Sequence, residues 1–161
     1  DRLVEVEIYR DDAIQKIKKA EAGFSYRRSG FARDVILNAS FKLPQGTLAE
    51  LLQRRRELLL KRNQSQPLNL PNSGSMFKNP EGAFAAKLVE DAGLKGKQIG
   101  EAQISERHGN FIVNHGSATA QDVLDLVKLA RKKVFERSGV KLELEVKLIG
   151  FQEEEIMQAV A

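Results

Sequence analysis

Thr119-Ala120-Gln121-Asp122-Val123-Leu124-Asp125-Leu126-Val127-Lys128-Leu129-Ala130-Arg131-Lys132-Lys133-Val134-Phe135-Glu136-Arg137-Ser138-Gly139 is followed almost at once by Leu142-Glu143-Leu144-Glu145-Val146-Lys147-Leu148. Two periods stand side by side in it. In the first part Val123, Leu126, Val127, Ala130 and Val134 recur at three- and four-residue spacing, the period of a helix with one apolar stripe. Thr119 with Asp122 marks its start and Gly139 its stop. In the second part apolar and charged residues alternate up to Gly150, which predicts a strand with Leu142, Leu144, Val146 and Leu148 on one face. Glu143, Glu145 and Lys147 then share the other face. A helix running into a strand indicates a mixed fold, α+β or α/β, with some antiparallel pairing because several connections are short.

Working outward, residues 3–10 alternate as a half-buried strand, and a short helix is predicted around Asp12–Ala20. Residues 23–31, Gly23-Phe24-Ser25-Tyr26-Arg27-Arg28-Ser29-Gly30-Phe31, read as a glycine-bracketed loop. Val35, Leu37, Ala39, Phe41 and Leu43 alternate again until Pro44 ends the strand. Thr47-Leu48-Ala49-Glu50 is a capping box, opening a helix to about Arg62 whose Leu48, Leu51, Leu52, Leu58 and Leu59 can share one side. Residues 64–74 carry prolines and turn-formers and read as a loop or linker. A helix at Ala83–Asp91 ends at Gly93, and short strands fit Ala102–Ile104 and Phe111–Asn114. The tail from Gln152 reads as frayed helix or disorder. Residues 1–43 and 74–150 look like separate packing units. Because Asp1 leads directly into an alternating run, we expect a piece of something longer.

Composition narrows the chemistry. The 161 residues include no cysteine and two histidines, which excludes a thiolate nucleophile, an iron–sulfur cluster and the usual structural zinc sites. His108 and His115 lie seven apart with no carboxylate pair in ligand spacing, so no metal site is expected. The apolar stretches fall short of a membrane span, and Arg2-Leu3-Val4-Glu5-Val6-Glu7 has charges where a signal peptide needs an apolar core. Neither a Walker A loop nor GxGxxG occurs. A net charge of +4 favours anionic partners, nucleic acid and phosphorylated small molecules alike. The basic runs Arg54-Arg55-Arg56 and Arg131-Lys132-Lys133 are expected to decorate solvated helix faces, and 6% aromatics leaves little for base stacking.

Three groups of residues can do chemistry. Gly74-Ser75-Met76-Phe77-Lys78-Asn79-Pro80 brings a hydroxyl, an ammonium and an amide onto one short segment, where glycine lets the backbone approach a ligand. Its plainer reading is a polar turn whose serine bonds its own backbone. Arg27 and Arg28 suit a carboxylate or phosphate, gripped by two parallel bonds, or else are solvated. Glu145 sits mid-strand, where a covered carboxylate needs a partner. Spacing alone favours the plainer reading for the two loops, and a solvated exterior is the default for the strand face. A Ser75, His108 and Asp91 triad can be drawn on paper, as it can from most sequences.

Those same segments resemble the UDP-N-acetylenolpyruvoylglucosamine reductase family. Gly74–Pro80 is similar to its GSxFKNP motif, and Tyr26-Arg27-Arg28-Ser29-Gly30-Phe31 to its YRxSxF. Ala92-Gly93-Leu94-Lys95-Gly96, Ile104-Ser105 and His108-Gly109-Asn110-Phe111-Ile112-Val113-Asn114 follow in the family's order. Leu142-Glu143-Leu144-Glu145-Val146 with Ile149-Gly150 resembles its closing segment. Matches in this order over residues 24–150 are more specific than any one alone, and the NFIVN form resembles the shorter of the family's two types.

The resemblance implies an α+β fold: the end of a PCMH-type FAD-binding domain (1–43), a helix and linker (44–73) and a small α+β substrate-binding domain (74–161). It implies a cytoplasmic flavoenzyme in which NADPH reduces FAD. The flavin then gives hydride to C3 of UDP-N-acetylglucosamine enolpyruvate, and protonation at C2 yields UDP-N-acetylmuramate for peptidoglycan. Carried over by motif position, Ser75 is the proton donor, Arg27 and Glu145 assist at the enolpyruvyl group, and Tyr26, Lys78 and Asn79 hold substrate. The family's main glycine-rich flavin segments lie upstream of anything matching this chain, so FAD-binding residues are unassigned and the isolated chain is expected to bind FAD weakly and to be inactive. The alternative is a non-catalytic basic module for nucleic acid, whose affinity would fall steeply with salt.

Overall fold

The structure, a computed structural model, describes residues 2–154 and 156. It divides into two compact units, Asp1–Arg54 and Arg55–Ala161. Most of the tail from Gln152 lies outside the described residues.

In the first unit β1 (Leu3–Arg10) is the centre of a three-stranded antiparallel sheet, between β2 (Ala13–Lys18) and β3 (Val35–Phe41). The helix expected at Asp12–Ala20 is instead β2 followed by a single 3-10 turn, Lys19–Glu21. Asp11 and Asp12 both adopt positive φ, 50° and 57°. That pair of left-handed residues is what a two-residue hairpin needs, and it turns the chain straight back along β1. The register sets Lys16 opposite Glu7, with Nζ 3.1 Å from the carboxylate. Val6, Ile8, Ala22 and Phe31 form the small core. Residues 22–31 close on themselves through Gly30 N–H donating to Ala22 O at 2.7 Å, and Phe24 meets Phe31 edge-on with centroids 5.6 Å apart.

No residue of β3 is buried, nor is any of helix α1 (Leu48–Ser65). The capping box holds: Glu50 N–H donates to Thr47 Oγ1 at 3.4 Å and Thr47 N–H to the Glu50 carboxylate at 3.2 Å. The helix passes the expected Arg62 end to reach Ser65, and the boundary between units falls within it.

In the second unit β4 (Asn72–Ser75), β5 (Gln98–Ile99), β6 (Ala102–Ile104) and β7 (Phe111–Asn114) make an antiparallel sheet in the order β4-β7-β6-β5. The stretch read as linker thus ends in a strand. Helices α2 (Ala85–Asp91) and α3 (Ala120–Ser138) complete the unit. Thr119 and Asp122 cap α3 reciprocally, and Gly139 ends it at φ 70°. Leu126, Val127, Ala130 and Val134 face a core shared with Val89, Ile104 and Ile112. The strand expected at 142–148 does not form. Leu142 is buried and Leu144 and Val146 pack on the core, as the alternation required, but only Leu144 is bridged, to Phe77. A strand needs a partner of matching length, and the facing segment is a short loop.

Candidate functional site

The site is built on that bridge. Ser75 ends β4 opposite Phe111, and Gly74 before it has φ 79°, an angle that side chains disfavour although space for one exists. Beyond Ser75 the chain leaves the sheet edge, yet its buried backbone groups find partners. Met76 N–H donates to Asn110 O at 2.9 Å, and Met76 O accepts from Glu145 N–H at 2.9 Å. Phe77 N–H donates to Asn110 Oδ1 at 2.9 Å, and Phe77 O accepts from Asn110 Nδ2 at 2.7 Å. Lys78 N–H donates to Glu143 O at 2.8 Å. Met76 and Phe77 meanwhile send their side chains into the core, 3% and 2% exposed.

This arrangement brings Ser75, Lys78, Glu143 and Glu145 together from segments about seventy residues apart. The Lys78 ammonium pairs with the Glu143 carboxylate. Glu145 is half-buried. Among the described residues the half-buried Ser75 hydroxyl makes no hydrogen bond, so it does not follow the plainer reading of a serine tied to its own backbone. Asn79 Oδ1 accepts from Ala85 N–H at 3.0 Å and so fixes the first amide of α2.

Tyr26 and Arg27 belong to the first unit. They occupy the corner of a tight turn in which Ser25 N–H and Arg28 O, and Arg28 N–H and Ser25 O, pair at 3.2 and 3.1 Å. Arg27 has φ 58°, and its guanidinium carbon lies 5.4 Å from the Tyr26 ring centroid. A non-glycine residue held in the left-handed region stores strain of the kind that collects at ligand-binding turns.

Two residues escaped the reading of the sequence. Arg131, assigned to a solvated face, is only partly exposed and donates from Nε to Leu142 O at 2.9 Å, tethering the segment that carries Glu143 and Glu145 to α3. Burial pushes its guanidinium below the usual value. Asn110, 4% exposed, stood in the sequence within the NFIVN segment of the resemblance but with no role assigned to it. His108 does not form the paper triad. Its Nδ1 accepts from Asn110 N–H at 3.2 Å, while Asp91 pairs with Lys87 at 2.8 Å. Burial lowers the His108 pKa, against the pull of its own backbone hydrogen bond and aided by Lys95. Among the described residues no group of three or more His, Asp or Glu could hold a metal, and no helix is long and apolar enough to cross a membrane.

A small antiparallel sheet packed with two helices, its edge extended by a polar loop locked to an acidic segment, defines a class of small α+β domain. The family model described as UDP-N-acetylenolpyruvoylglucosamine reductase, C-terminal domain, matches residues 66–149. The chain belongs to that family. It is 50% identical over 157 residues to the UDP-N-acetylenolpyruvoylglucosamine reductase of Chloroherpeton thalassium, covering 92% of this chain and 50% of that protein. Its counterpart in Clostridium novyi is 43% identical over 143 residues, covering 88% and 47% respectively. The crystal structure of UDP-N-acetylenolpyruvylglucosamine reductase from Thermus caldophilus superposes with a TM-score of 0.78 at 39% identity, covering 91% of this chain and 53% of that one. The chain thus spans about half the length of the curated relatives it matches.

Proposed function

We propose that the whole protein carrying this chain is a reductase that uses NADPH and FAD to convert UDP-N-acetylglucosamine enolpyruvate into UDP-N-acetylmuramate for peptidoglycan synthesis. Residues 74–161 act as its substrate-binding domain and 1–43 as the end of its FAD-binding domain. The observation that carries this reading is the bond from Glu145 N–H to Met76 O at 2.9 Å, which brings the acidic segment alongside the residue next to Ser75.

The glycines of the first unit do not themselves fit a flavin. The first unit has Gly23, Gly30 and Gly46, and the first two face each other across a closed loop, with Gly30 N–H spent on Ala22 O. Among the described residues these glycines give no open run of amides for a pyrophosphate. Cofactor binding therefore belongs, in this proposal, to the length of the relatives that this chain does not span.

What the chain contributes is the substrate side. Negative charge developing at C2 beside a carboxylate needs a fixed cation, and the Arg27 guanidinium can grip that carboxylate with two parallel bonds. Ser75 then gives its hydroxyl proton to C2. A hydroxyl is a weak acid, so geometry has to do the work, and a serine on a locked backbone meets that condition. Glu145 assists at the same group, and Tyr26, Lys78 and Asn79 hold the rest of the substrate.

Ser75→Ala in the whole protein tests this reading. Flavin reduction by NADPH should remain near normal in stopped-flow traces, while reoxidation by the enolpyruvyl substrate slows by about a hundredfold or more. Equal loss of both half-reactions would remove Ser75 from the role of specific acid. Glu145→Gln should also impair only the second half-reaction, and unaltered reoxidation would return Glu145 to a solvated face.

A further inference from the structure

We propose that Asn110 is a positioning residue for the proposed reduction, a clamp that stands in for a missing strand and fixes the Ser75–Lys78 segment. The inference rests on the reductase reading for its catalytic consequence, but its structural part stands independently.

The argument starts from what a side-chain amide can do. A primary amide carries a carbonyl acceptor and N–H donors in one plane, the same complement as a peptide unit. Asn110 uses both on one residue: Oδ1 takes Phe77 N–H at 2.9 Å and Nδ2 gives to Phe77 O at 2.7 Å. Its own carbonyl takes Met76 N–H at 2.9 Å. β4 and β7 are last in register at Ser75 and Phe111, so strand pairing ends where the Asn110 contacts begin. Asn110 therefore prolongs the ladder by one residue and leaves the loop's other edge for Glu143 and Glu145.

The clamp is itself held. Ser105 Oγ accepts from Arg107 N–H at 3.1 Å and His108 N–H at 3.3 Å, shaping the turn, and His108 Nδ1 accepts from Asn110 N–H. Gly109 lets this turn lie against α2: a Cβ there would stand 2.6 Å from Ala86 O. No other residue type presents the same donor and acceptor at this length. Alanine leaves Phe77 N–H and C=O unmet in a buried setting, and aspartate keeps the acceptor but sets an oxygen against the Phe77 carbonyl.

Hydrogen exchange on the present chain reads the structural part. In Asn110→Ala the amides of Phe77, Lys78 and Glu145 should exchange about tenfold faster or more, with α3 amides unchanged. Asn110→Asp, which keeps one of the two bonds, should fall between. Unchanged loop amides would overturn the proposal, as would equal acceleration across the whole second unit in both variants, which would make Asn110 an ordinary core residue.

Half-reactions of the whole protein read the catalytic part. Asn110→Asp should lower the rate of flavin reoxidation by the enolpyruvyl substrate about tenfold or more, because a loosened proton donor reacts less often. Reduction by NADPH should not change. A loosened loop with normal reoxidation would overturn the positioning role. A wild-type protein inert toward the enolpyruvyl substrate would instead overturn the reductase reading, while the exchange result would still decide whether Asn110 clamps the loop.

Discussion

The two units solve the problem of burial differently. In the second, residues from β6, β7, both helices α2 and α3 and the loop after β4 meet in one cluster that includes Met76, Phe77, Val89, Leu126 and Leu142. In the first, Val6, Ile8, Ala22 and Phe31 are the whole buried core among the described residues, while Val35, Ile36, Leu37 and Phe41 on β3 stay at least half exposed. β-Branched and aromatic residues on a strand are there to be covered. The contrast teaches that the second unit carries its own hydrophobic driving force and the first carries only part of one, in keeping with a chain that spans about half the length of its relatives.

Separating the units tests this contrast most severely. Residues 55–154 expressed alone should melt cooperatively by circular dichroism, whereas residues 1–54 should show no cooperative transition and should bind a hydrophobic dye. A sharp melt from the shorter piece would break the comparison. Within the full chain, Leu126→Ala should cost the second unit about 2–5 kcal/mol in denaturant unfolding, the range for a fully buried leucine. Leu37→Ala on the exposed β3 should change stability by less than about 0.5 kcal/mol. Comparable losses would mean that β3 is covered in solution. Gly109→Ala must push the turn off Ala86 O, and should cost the second unit about 1–3 kcal/mol by the same measurement.

Acid should separate the units more gently. His108 has a folded-state pKa below its unfolded value, so its contribution to stability is present above about 6.5 and is lost as pH falls from there through the folded value. Hydrogen bonding and charge from Arg10, against desolvation, hold the Asp34 carboxyl below its usual range. That contribution is present above about 4 and disappears only on further acidification. Exchange protection in the second unit should therefore begin to fall at a higher pH than protection around the Arg10–Asp34 pair. His108→Gln should remove the earlier loss, and an unchanged profile would exclude His108 as its source.

Local rules made much of the second unit legible. The capped ends of α3 at Thr119 and Gly139 and the strands at 102–104 and 111–114 are where turn residues and periodicity put them. Three misreadings have two causes between them. Residues 13–18 became a strand because Asp11 and Asp12 took a hairpin conformation, residues 72–75 became one because β7 was there to pair, and residues 142–148 failed to become one because only a loop faced them. In each case a partner distant along the chain, or a turn chemistry less obvious than Asn-Gly, decided what local pattern left open. The candidate site divides the same way. Ser75, Lys78 and Glu145 were chosen on motif, but their shared seam, the Lys78–Glu143 pair and the Asn110 clamp had no signal in spacing.

By itself the sequence determined which residues are apolar at helical or alternating spacing, where helices are capped, and which side chains have the chemistry for a carboxylate and a proton. Those are properties of neighbours along the chain. Tertiary structure alone decided that a buried amide replaces a strand beside Phe77 and that an arginine read as solvated ties down Leu142. Such hydrogen bonds form only after the core has brought their donors and acceptors together, and no local period encodes that.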